Sequence, residues 1–126
     1  MHGVLAKLFR DISASCLPGS PLTHALLNSA ADDLDAGGVT TQVMAGSERD
    51  RPGTVPGLRF AAALHHLVLD GRAPELAAHY PSVGGTTRPE TLWSDAEAAL
   101  KEHEAEVRRL VRANAVQRCW RENRGF

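Results

Sequence analysis

Aromatic residues are scarce in this chain: three Phe, two Trp and one Tyr among 126 residues. β-Branched and aromatic side chains lead the strand formers, and alanine and leucine supply most of the apolar content here instead, which favours helix over sheet. Cysteine is scarcer still. Cys16 and Cys119 stand far apart and form no C-x-x-C pair, so they read as reduced thiols of a cytoplasmic protein. No apolar run approaches the length needed to cross a bilayer. The opening MHGVLAKLFRDI carries charges where a signal peptide would need an apolar core. The net charge of −1 gives no global field that would draw the chain to nucleic acid or to anionic lipid.

What is present is a series of apolar stripes at helical spacing. Leu5, Leu8, Phe9, Ile12 and Cys16 form the first, over residues 3–16. LPGSP interrupts it, and Ser20-Pro21 restarts a helix as cap and first residue. Leu22, Leu26, Ala30 and Leu34 line this second helix, which Gly37-Gly38 ends. Residues 37–57 read as a mobile loop, with VTTQVM as a short helix or a scrap of strand and GSERDRPGTVPG exposed. LRFAAALHHLVLD, residues 58–70, is apolar over more than half its circumference and is expected to be the central helix. PELAAHY, residues 74–80, makes a short helix opened by proline.

The last helix is expected to start near Thr91 to Ser94, where SDAE has a capping-box pattern, and to run to Arg112. Its stripe is Leu92, Ala96, Ala99, Leu100, Val107, Leu110 and Val111, with Glu97-Lys101 and Glu104-Arg108 as i, i+4 pairs on the other face. Residues 113–126 form a basic tail. The expectation is a single all-α domain, 1–126, of about five helices, with one ordered loop at YPSVGG.

Candidate chemistry is sparse. His65 falls inside the apolar arc of the central helix, His103 inside the stripe of the last helix, and His66 at a polar edge four residues before Asp70. They read either as an acid–base site or as hydrogen-bonded core histidines, the second being the commoner case. His2, His24 and His79 stand in no distinctive context. A zinc ion needs three or four ligands, and neither H-E-x-x-H nor a cysteine cluster is present, so no metal and no cofactor is expected. SVGGTT precedes a helix, but it is not a phosphate-binding motif. Gly84 and Gly85 read as suppliers of positive φ in a sharp turn, with Tyr80 packing down and Ser82 beside it. Arg112, Arg118 and Arg121 belong to an arginine-rich end that, with Trp120 and Phe126, offers an alternative reading as an anion or nucleic-acid contact. The bland alternative is a helix C-terminus that favours cations. There is no G-x-S-x-G.

LHHLVLDG, LAAHYPSVGGTTRPETLW and KEHEAEVRRLV, together with the opening LFRDISASCLPGSPLTHALL, resemble the N-terminal half of an uncharacterised bacterial family catalogued as a domain of unknown function. The likeness covers about residues 5–117, diverging over 37–56, and YPS-x-GG is its most specific element. The resemblance implies a longer protein in which a Val-Gln-Thr-Asn-Glu-like stretch leads into a Rossmann-like half similar to S-adenosylmethionine-dependent methyltransferases. This chain departs from that pattern after Val116-Gln117, so the resemblance implies a truncated relative with no cofactor residues to carry over. It also implies a non-catalytic cap, docking or interaction module with a protein partner, or self-association through an uncovered apolar face.

Overall fold

The computed structural model describes residues 2–16, 20–45 and 56–112. Within them seven α-helices and one 3-10 turn follow one another: α1 (His2–Cys16), α2 (Pro21–Ala36), α3 (Val39–Val43), α4 (Pro56–Leu69), α5 (Pro74–Ala77), the 3-10 turn (Pro81–Val83), α6 (Pro89–Glu102) and α7 (Glu104–Arg112). The described residues contain no strand, so the all-α expectation holds.

α1 and α2 pair as an antiparallel hairpin. The late residue Ser13 meets the early residue His24, while Arg10 reaches Asp32 and Asp35 near the end of α2. Ser20 caps α2 by accepting from the Thr23 amide at 3.2 Å, with Pro21 in the first turn. The buried stripe of α1 is narrower than the sequence implies. Leu5, Ala6 and Phe9 are buried, but Leu8 is 39% exposed. Ser13 is fully buried in that face. Its hydroxyl donates to the His24 carbonyl at 2.7 Å and lies 3.0 Å from the His24 ring, which removes the cost of burying it.

α4 is the central helix. Residues 60–65, Leu67 and Val68 are all buried. It meets α1, α2, α5 and α7, and Phe60 packs against Phe9 with ring centroids 5.3 Å apart. Its N-terminus corrects the expected mobile loop, because Pro56 and Gly57 already belong to the helix and are buried. At the other end of that stretch, residues 39–43 are the helix α3. Residues 46–55 lie outside the described residues. Gly38 has no side chain to cap α3, and the Asp33 carboxylate does so from α2, accepting from the Thr40 amide at 2.8 Å. The carbonyl end of α3 is served from α7: Arg108 donates to the Gln42 carbonyl at 2.9 and 3.2 Å. Arg108 was expected to pair with Glu104 and is used here instead.

Two further expectations are corrected. α6 starts at Pro89, ahead of the expected Thr91–Ser94 start. Arg88, ahead of the proline, is extended (φ −121°, ψ 101°), as a residue before proline must be, and Ser94 is left inside the helix. The expected last helix is also two helices, parted at His103 (φ −117°, ψ 29°). The His103 ring lies 2.9 Å from the Arg72 carbonyl, just beyond α4. The five expected helices thus become seven by this break and by α3. The short helix expected over 74–80 closes early, at Ala77.

Glu106 ties α7 to the same corner. It accepts from Arg72 at 2.7 Å and from Arg109 at 2.9 Å. The Arg109 and Arg72 guanidiniums hold its carboxyl below the usual carboxylate range. Stability from this group is therefore present above the ordinary glutamate value of about 4.3 and lost as pH falls through the lower, folded value. Glu106→Gln should flatten the acid limb of the stability curve below about pH 4.5. Thermal unfolding across that range checks it, and an unchanged limb would remove Glu106 from the acid response. The group is near the surface, so the effect is small.

Candidate functional site

The turn after α5 brings two histidines of different elements against one loop. α5 ends with the Ala78 and His79 amides bonded back to Pro74 and Leu76. Tyr80 then goes down into the core, 4% exposed, and its ring stacks on that of His65 at 5.2 Å between centroids. Pro81 opens the 3-10 turn, and Ser82 places its hydroxyl 2.9 Å from Nε2 of His65. His65, on α4, is 1% exposed. His65, Tyr80 and Ser82 are therefore brought together.

The glycines do different jobs. Gly84 has φ 85° and closes the 3-10 turn, as expected. Gly85 does not have a positive φ. It is required because a Cβ there would lie 2.6 Å from the Ala78 carbonyl carbon and 2.7 Å from the Ala77 oxygen. The shared positive-φ reading is thus right for Gly84 and corrected for Gly85, where the constraint is close backbone approach.

His79 is the residue that sequence reasoning missed. It is 2% exposed. The Arg88 backbone N–H donates to its Nδ1 at 3.1 Å. A backbone amide can only donate, so Nδ1 is the unprotonated nitrogen and Nε2–H donates to Asp95 on α6, at 2.8 Å. Thr87 closes the set by donating to the His79 carbonyl at 2.8 Å. No local signal marked it, because its partners Arg88 and Asp95 lie nine and sixteen residues away. Asp95 also borders a cavity of about 260 Å³ between α5 and α6, with Leu76, Ala73 and Ala99 as its apolar wall and Arg72, Glu75 and Glu102 around it.

A serine 2.9 Å from a histidine nitrogen is the distance of a nucleophile and its base. The Val83 and Gly85 amides donate to the Tyr80 carbonyl, Gly84 to Pro81 and Thr86 to Ala78. These four N–H groups hold the turn. The Ser82–His65 contact joins the loop to α4.

The other candidates lie elsewhere. His66 is half-buried with Nε2 3.4 Å from Asp70. His103 is at the α6–α7 break, on the Arg72 carbonyl. Arg112 donates to the Ala45 carbonyl at 3.4 Å. Arg118 and Arg121, with the rest of the basic tail, lie outside the described residues. Among the described residues, no group of three His, Cys, Asp or Glu is placed to hold a metal ion, and no helix is long and apolar enough to cross a membrane.

The helices that frame this loop are also the part of the chain that is shared with other proteins. Residues 6–119 match a family described as an uncharacterized protein conserved in bacteria, DUF2332. The chain belongs to this family. The match covers nearly every element described above, from α1 through α7, and includes the whole of the fastened loop. This DUF2332 chain matches no curated protein and no solved structure.

Proposed function

We propose that this DUF2332 chain is a non-catalytic helical module, a cap, docking or interaction domain of a methyltransferase-like protein. The observation that carries the reading is the loop. Its hydroxyls, imidazoles and amides bond inward to its own fold, through Ser82–His65, Thr87–His79 and the Val83, Gly84, Gly85 and Thr86 amides. What it turns outward is a fixed surface of Pro81, Val83, Gly84, Thr86, Arg88 and Pro89. A surface ordered before it meets a partner loses little conformational freedom on docking, whereas an active loop needs donors and nucleophiles left over for substrate.

The test mixes this chain with the separately expressed methyltransferase-like half that the family resemblance implies. Binding by size exclusion and calorimetry, weakened about tenfold or more by Val83→Asp, is the expected result. Val83 is 45% exposed, so the substitution leaves the core alone. No complex with the native chain would sink the docking reading. Hydrolysis of p-nitrophenyl esters that disappears in Ser82→Ala would sink the non-catalytic one. Salt-dependent retention on RNA that is lost on deleting residues 113–126 would move the function to the basic tail.

A further inference from the structure

We infer that the cavity between α5 and α6 binds a small aliphatic diamine, an organic dication with a methylene body. The inference stands on the cavity and does not depend on the docking reading. The cavity has a volume of about 260 Å³. A protein cavity of about 150 Å³ already takes benzene, and diaminobutane has as many non-hydrogen atoms as that ring.

The lining divides by chemistry. Ala73 and Leu76 on the α5 side and Ala99 on α6 are buried and form an apolar wall, which suits methylene groups. Glu75, Asp95 and Glu102 set three carboxylates around it. Gathering like charges costs Coulomb energy, and the fold offsets little of it here. The Glu75 side chain makes no hydrogen bond or ion pair among the described residues. Asp95 accepts from Nε2 of the buried His79, a ring left neutral by the Arg88 amide that donates to its other nitrogen. That bond fixes the carboxylate without matching its charge. Glu102 lies 3.7 Å from the His103 ring, but the same ring nitrogen is 2.9 Å from the Arg72 carbonyl. Arg72 brings the one guanidinium of the lining, and it is paired at 2.7 Å with Glu106, which lies outside the cavity. The cavity thus keeps an excess of negative charge.

The arrangement also sets the kind of cation. A metal ion needs its ligands to converge on one point, and among the described residues no three His, Cys, Asp or Glu do so. Carboxylates standing apart around an apolar wall match a ligand with charge at both ends and carbon between. Each ammonium end has three N–H groups to donate to them. A zwitterion would bring its own carboxylate into the excess of negative charge, and a neutral ligand would leave that excess unmatched.

Titration of the native chain with diaminobutane, followed by nitrogen-15 NMR at constant ionic strength, tests this. The expected result is saturable binding with a Kd at or below about 1 mM, with shifts centred on Ala73, Leu76, Ala98 and Ala99. Butanediol, of the same length but uncharged, should not saturate. Acetyl-lysine amide, which has one ammonium and stands in for a lysine side chain of a partner, should bind several-fold more weakly. Glu75 and Ala98 are exposed, so substitutions there leave the fold intact. Glu75→Gln should raise the Kd about threefold or more, and Ala98→Leu, which narrows the cavity, about tenfold or more. No saturation by about 10 mM overturns the site. So do shifts spread evenly over the acidic surface, butanediol binding as tight as the diamine, and an affinity that either variant leaves unchanged. Acetyl-lysine amide binding as tightly as the diamine also overturns it, and would give the cavity to a partner's lysine.

Discussion

Replacing Gly85 by valine should cost about 3–5 kcal/mol of stability, enough to unfold a marginal domain at moderate temperature. The neighbours that a side chain would meet are the carbonyl groups of Ala77 and Ala78. They are backbone, so no rotamer change makes room. The Gly85 amide is bonded to the Tyr80 carbonyl at 2.8 Å and the Thr86 amide to Ala78 at 2.8 Å, so moving the chain aside breaks the bonds that shape the turn. Gly84→Ala is the control. Open space surrounds a Cβ at that position, and the cost there is only the left-handed backbone at φ 85°, about 1–2 kcal/mol. Denaturant unfolding of the two variants measures both. Equal losses would mean that the turn relaxes freely and that close approach at position 85 is unimportant.

Phe60→Ala is the second large effect, expected at about 3–5 kcal/mol. Phe60 is fully buried in the first half of α4, in ring contact with Phe9 of α1. Truncation leaves a cavity between the helix that meets most of the others and the α1–α2 hairpin. Phe9 and Phe60 are the only phenylalanines among the described residues, so Phe9 has no other ring of its kind there to close on. A loss under about 1 kcal/mol by chemical denaturation would show that α1 is not anchored through this pair.

Both effects could be approached from sequence, to different depths. Phe60 was legible because a helix that is apolar over half its circumference has to be central. Ser20-Pro21 announced the start of α2, and Tyr80 was expected to pack down, as it does onto His65. Local signals of this kind act within a turn of helix. The Ser94 capping pattern was equally local and still wrong, because the Arg88-Pro89 boundary ahead of it had already started the helix. The break at His103 was hidden for another reason. Leu100 and Val107 keep a seven-residue spacing across it, so the periodicity runs on unbroken, and the Arg72 carbonyl that holds the ring comes from thirty-one residues away. The His79–Asp95 pair, sixteen residues apart, was illegible likewise, since its spacing belongs to a loop and not to any repeat. Gly85 shows the limit inside a correct expectation: the pair of glycines marked the turn, but the three-dimensional approach of Ala78 decided what the second one is for.

The Arg108–Gln42 bond has a bearing on the order in which the chain acquires its structure. α1 and α2 adjoin in sequence and can meet as soon as both are made. The bond between α7 and α3 closes a span of sixty-six residues, and closing a longer loop costs more chain entropy and slows folding. Arg59 reaching the Val111 carbonyl closes one of fifty-two. The hairpin is thus the early event, and the seating of α7 across α3 and α4 is the late one. In a chain emerging from the ribosome this order is enforced twice, since α7 is also the last of the described helices to be synthesised. Until it arrives, Val39, Val43 and the near face of α4 have no cover from that side.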